Sequence, residues 1–115
     1  MKIETVTRTG HPPLRFTPVS TWTASNEIQG GNRANRWTQV TIWKTSTGKY
    51  VARVSRFTCW QGENDSHDAE AFQTPTEVIE YLKGDEGHLG RVSQEAIEDA
   101  CKEDPEFAKA FVVEV

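Results

Sequence analysis

Alternation of apolar and polar positions is clearest in the middle of the chain. Residues 36–44 and 49–60 are rich in Val, Ile, Thr, Trp, Tyr and Phe, the side chains that suit a pleated, half-buried surface. Between them, Ser46-Thr47-Gly48 supplies a three-residue turn with glycine for the left-handed position. A β-hairpin follows. Setting Thr45 opposite Lys49 places Ile42 against Ala52, Val40 against Val54 and Lys44 against Tyr50 on one face, which reads as core. The other face carries Trp43 with Val51, Thr41 with Arg53, Gln39 with Ser55 and Trp37 with Phe57, aromatic at both ends and polar between.

Residues 15–25, with Phe16, Val19, Trp22 and Ala24, read as a further strand that Pro18 confines to an edge or a bulge. Residues 2–8 alternate less regularly around Ile3 and Val6, and 67–72 form a short strand. His11-Pro12-Pro13 is expected to break structure, because proline lacks a ladder donor and restricts the residue before it. The stretch 26–35, with Gln29-Gly30-Gly31-Asn32 and no apolar period, reads as a loop.

After residue 72 the period changes. Thr74-Pro75-Thr76-Glu77 is a capping box with proline at the first helical position, and it opens a helix over 75–83 stopped by Gly84. Val78, Ile79 and Leu82 then share one face, directed at the Val40/Ile42/Val54 side of the sheet. Ser93 is expected to cap a second helix reaching about Lys102, with Ala96, Ile97, Ala100 and Cys101 inward. Asp104-Pro105 starts a third, and the tail 111–115 fits either a helical or an extended continuation. The pattern predicts one α+β domain over 1–115: a twisted antiparallel sheet of about four strands in the first two thirds, packed against two or three short C-terminal helices.

Composition adds a charge asymmetry. Residues 1–58 hold nine bases against two acids and residues 59–115 four bases against fifteen acids, so the net charge of −4 divides into +7 and −11. Either the halves attract each other within the fold, or one face serves an anionic or a basic partner. No run is long and apolar enough for a membrane span or a signal peptide, which makes the cytoplasm the expected compartment. Cys59 and Cys101 are then expected as unpaired thiols.

Candidate chemistry is sparse. Cys59, His67 and Asp68 are the residue types of a nucleophile, a base and an orienter, but no nucleophile turn surrounds the cysteine. His11, His67 and His88 with Glu63, Asp65, Asp68 and Glu70 fit no zinc or calcium spacing, and Gly30-Gly31 lacks the lysine and hydroxyl of a phosphate loop. No catalytic residue, metal or cofactor is therefore assigned.

The strongest candidate is a binding surface of Trp37, Gln39, Trp43, Arg53 and Phe57, because exposed aromatics beside arginine suit capture of another protein, unless the first strands or the 26–35 loop fold over this face as a second small core. Single-stranded nucleic acid and a second copy of the chain are the alternative occupants. Arg36 and Arg56, on the opposite face, are expected to meet helix carboxylates. A separate reading takes the acidic helical surface of Glu95, Glu98, Asp99, Glu103, Asp104 and Glu106 as an imitation of a phosphate backbone, the device of an inhibitor that fills a nucleic-acid channel.

Overall fold

A computed structural model describes residues 2–26, 36–59, 62–84 and 87–112. The loop expected over most of 26–35, the strand end at residue 60 and the tail 113–115 lie outside the described residues. Among the described residues six strands, β1 (Glu4–Arg8), β2 (His11–Phe16), β3 (Pro18–Ser25), β4 (Arg36–Thr45), β5 (Tyr50–Thr58) and β6 (Ser66–Phe72), precede three helices, α1 (Pro75–Lys83), α2 (Arg91–Glu103) and α3 (Pro105–Ala110). The main sheet is antiparallel in the order β3-β4-β5-β6, and β1-β2 form a separate two-stranded ribbon. The α+β class and its antiparallel sheet agree with the sequence pattern.

The central hairpin has the expected register from Arg36↔Thr58 to Lys44↔Tyr50. Its turn is closed by Thr45 N–H on Lys49 O at 2.8 Å and Gly48 N–H on Thr45 O at 3.0 Å, with Gly48 at φ +82°. Only glycine holds that backbone region without a Cβ penalty. The face holding Val40, Ile42, Tyr50 and Ala52 forms the main core with Val78, Ile79, Leu82, Ala96, Ile97, Ala100 and Phe107 of the helices.

Two expectations need correction. His11-Pro12-Pro13 does not end the strand, because β2 runs through it. The register jumps from Val6↔Leu14 to Arg8↔His11, so the prolines occupy a bulge of the ribbon where a ladder donor is not needed. The second helix begins at Arg91 and is capped by Gly90, without a side-chain cap, rather than by Ser93. Val92 packs on the core one turn before Ala96, which extends the buried stripe and the helix with it.

The other caps form as read. Thr74 Oγ1 accepts the Glu77 amide at 3.3 Å while Glu77 Oε1 accepts the Thr74 amide at 3.1 Å. Asp104 Oδ1 accepts the Glu106 amide at 3.0 Å at the start of α3.

Helix α3 brings carboxylates to a buried phenol. The Tyr50 hydroxyl donates to Asp104 Oδ2 at 2.7 Å and lies 3.0 Å from Glu106 Oε2. Burial first, and then these carboxylates, push the Tyr50 hydroxyl far above its ordinary value of 10.0. An unfolded chain releases this proton near pH 10 whereas the folded one keeps it. The associated stability is therefore intact below pH 10 and falls as pH rises above it, by up to about 1.4 kcal/mol per pH unit. Urea unfolding at about pH 9 and about pH 11 checks this: Tyr50→Phe is expected to lessen the slope, with a part left by Tyr81, whose hydroxyl burial also pushes up. Tyr81 is retained in both proteins, so an equal alkaline loss in wild type and variant contradicts the assignment.

Candidate functional site

The face of β4 and β5 that carries the candidate binding residues is divided in two. Over one half lies the β1-β2 ribbon, and Val6, Trp43, Val51 and Ala69 make a second core there, flanked by Leu14 and Phe16. Trp43 is 5% and Val51 3% exposed, with the Phe16 ring edge-on to Trp43 at 5.4 Å. The ribbon is fastened to β6 by Thr9 N–H on His67 O at 2.8 Å, His67 N–H on Thr9 Oγ1 at 2.9 Å and an Arg8–Glu70 ion pair at 2.7 Å. The expectation that Trp43 stands in solvent is thereby corrected.

Arg53 is half-buried in the same layer. Its guanidinium carbon lies 5.0 Å from the centroid of the Trp43 ring, and its Nε has no hydrogen-bond partner among the described residues. Burial pulls its pKa below the usual guanidinium value and Glu4 acts in the opposite sense. The ring face supplies part of the attraction that water would otherwise give. The neighbouring polar groups are also satisfied internally, Thr41 Oγ1 by Thr23 Oγ1 at 3.3 Å and Ser55 Oγ by His67 Nδ1 at 2.8 Å.

Trp37, Gln39 and Phe57 occupy the other half and are half-buried. Trp37 and Phe57 stack at 5.4 Å with 22° between their planes, and His67 meets Phe57 edge-on at 5.8 Å. A cleft of about 520 Å³ at this end of the sheet is lined by Trp37 and Phe57 together with Asn26, Arg36, Arg56, Glu63 and Asn64. Asn26 Oδ1 accepts the Thr38 amide at 2.7 Å, which fixes one wall.

The rim is a set of paired charges. Arg36 holds Glu63 through two nitrogens, Nε at 3.1 Å and Nη2 at 2.6 Å, and Thr58 Oγ1 donates to the same carboxylate at 2.6 Å. These bonds keep the Glu63 carboxyl below, and the Arg36 guanidinium above, their ordinary values. Arg56 pairs with Asp68 at 2.9 Å. The two arginines thus meet a loop residue and a β6 residue, not the helix carboxylates expected for them, because β6 and the turn before it reach this end of the sheet.

On the helix side of the same end, a wider groove of about 810 Å³ is bordered by all three histidines, His11, His67 and His88. Its cations Arg8, Arg56 and Lys83 already meet Glu70, Asp68 and Glu80. No three His, Cys, Asp or Glu side chains among the described residues converge as a metal site would require.

His67 bonds Ser55 and Asp68 bonds Arg56 on opposite faces of β6, so the nucleophile, base and orienter considered from sequence are not assembled. Cys59 and Cys101 are free thiols. The acidic helical surface is also reduced, since Asp104 is 3% exposed and Glu106 turns to Tyr50. Glu95 and Asp99 pair with Arg91 and Lys102.

Sequence reasoning missed the cleft as an entity, because Asn26, Glu63 and Asn64 lie outside the strands, where periodicity does not place a side chain. No helix among the described residues is long and apolar enough to cross a membrane. No family model, curated protein or solved structure matches the chain, so the geometry alone carries the functional reading.

Proposed function

We propose that the protein is a non-enzymatic binding module that engages another protein by seating one of its apolar side chains in the Trp37–Phe57 cleft. The observation that carries this reading is the stacked, half-buried aromatic pair in the lining of a cleft that Arg36, Arg56 and Glu63 also border. An aromatic anchor inside a rim of polar groups is the usual anatomy of a protein–protein hot spot. Gln39 lies next to the pair, while Trp43 and Arg53 support it from beneath the ribbon rather than touching the partner.

The rim favours protein over single-stranded nucleic acid. A phosphate has to displace Glu63 from Arg36 and Asp68 from Arg56 before it gains either arginine, whereas an apolar side chain leaves both pairs in place. The module is placed in the cytoplasm, where its free thiols stay reduced.

Capture from a native lysate identifies the partner, and titration of the purified partner tests the contact. Trp37→Ala is expected to weaken binding about thirtyfold, corresponding to a loss of about 2 kcal/mol, with the far-UV spectrum unchanged. Equal affinity of wild type, Trp37→Ala and Phe57→Ala for that partner overturns the reading. Salt-dependent quenching of Trp37 fluorescence by an oligonucleotide replaces protein by nucleic acid as the occupant.

A further inference from the structure

The two edges of the main sheet differ. At the β6 edge, His67 exchanges backbone and hydroxyl hydrogen bonds with Thr9, and the strand carries Asp68 and Glu70, the latter under Arg8. Such charges and cover are how native sheets prevent further pairing. Among the described residues the β3 edge has neither device between Ser20 and Ala24, and only its first residues differ, where Pro18 and a register shift before Ser20 take the chain out of line.

Asn26 N–H bonds Thr38 O on β4. By the alternation of an antiparallel ladder, Trp22 and Ala24 turn their backbone groups to β4 as well, and Thr21 and Thr23 turn theirs outward. No partner for those outward groups exists among the described residues. The strand carries no charged side chain, and none stands in the sequence between Arg15 and Glu27. Exposed Thr21 and Thr23 lie on the face opposite the helices, and Val19, in the bulge before them, is 53% exposed.

We propose that β3 pairs antiparallel with β3 of a second copy, joining the two main sheets into one across a two-fold axis. A copy is the occupant that the edge describes. A two-fold axis through the strand centre sets Thr21 against the partner's Thr23 and Thr23 against the partner's Thr21, so every bond is made twice from one set of groups. Thr–Thr pairs across strands are favourable on an exposed face. A chain of net charge −4 meets its copy with least repulsion along a segment that has no charge. This inference does not depend on the Trp37–Phe57 cleft.

Sedimentation equilibrium from about 1 µM to about 1 mM tests it, and wild type is expected to pass from monomer to dimer within that range. Thr21→Pro removes an outward amide but no bond to β4, and Thr21→Lys brings like charges to the axis with the backbone intact. Each is expected to raise the dimer dissociation constant at least about tenfold, with Trp37→Ala without effect. Should Thr21→Pro fail to fold by circular dichroism, Thr21→Lys decides. A monomer throughout the range overturns the proposal. So does a dimer that both Thr21 variants leave unchanged or that Trp37→Ala abolishes.

Discussion

Replacing Trp43 by alanine is expected to destabilise the fold by about 3–5 kcal/mol, the cost of truncating a large buried aromatic. The ring joins the two sheets: Phe16 of the ribbon lies edge-on against it, Arg53 lies over its face, and Val6, Val51 and Ala69 complete the layer. Deleting it leaves a cavity under a ribbon held otherwise by Thr9, Arg8 and a few aliphatic contacts, and removes a ring that faces the half-buried Arg53 guanidinium. A domain of this size has about 5–15 kcal/mol of total stability, so the urea midpoint is expected to fall by a large fraction. Trp37→Ala, made in an open cleft, costs much less. A Trp43→Ala loss below about 1 kcal/mol means that the ribbon does not cover the ring in solution, and returns Trp43 to the exposed surface.

That contrast marks where the sequence was legible. The β4–β5 register could be read pair by pair, because the Ser46-Thr47-Gly48 turn fixes which residues face each other and a slip of one residue sends every apolar side chain to the wrong face. The capping box at Thr74 and the Asp104-Pro105 start were equally local, since each is a bond between residues a few positions apart. Periodicity states that a face is apolar and is silent on what covers it. Trp43 and Val51 were visible as part of a row, but covering them takes Val6, Leu14 and Phe16 from a ribbon whose prolines argued against a strand. The same row is polar between its aromatic ends. The partners of these polar residues are cross-strand, Thr41 with Thr23 and Ser55 with His67, and these pairings depend on neighbours whose order in the sheet no local pattern records.

For the candidate site the consequence is a division of roles within one row. At the ribbon end the aromatic and arginine side chains hold two sheets together. At the other end the ribbon does not reach, and the same alternation delivers Trp37 and Phe57 to a cleft. The proposed binding surface rests on paired strands and on the Arg36–Glu63 and Thr58–Glu63 bonds beside it, so a partner of the kind proposed would meet it without ordering the contact residues first.

Asp104→Ala is expected to cost about 3 kcal/mol, more than an ordinary surface carboxylate, because one side chain meets three needs at once. Its Oδ1 caps α3 by accepting the Glu106 amide, its Oδ2 accepts the Tyr50 hydroxyl, and Lys44 Nζ lies 3.5 Å from the same oxygen. Helix α3 spans six residues, too few to persist without a cap and a docked side chain. That docked side chain is Phe107, which packs edge-on against both Tyr50 at 5.2 Å and Trp22 at 6.0 Å. Loss of the cap therefore loosens the main core as well as the helix. Asp104→Asn keeps an acceptor for the cap and gives up the charge, so its cost is expected to be about 1 kcal/mol. A double-mutant cycle of Asp104→Ala with Tyr50→Phe, measured by urea unfolding near neutral pH, isolates the buried bond, with a coupling of about 1–2 kcal/mol expected. Strict additivity of the two substitutions assigns the whole effect of Asp104 to the cap and leaves the phenol held by Glu106 alone.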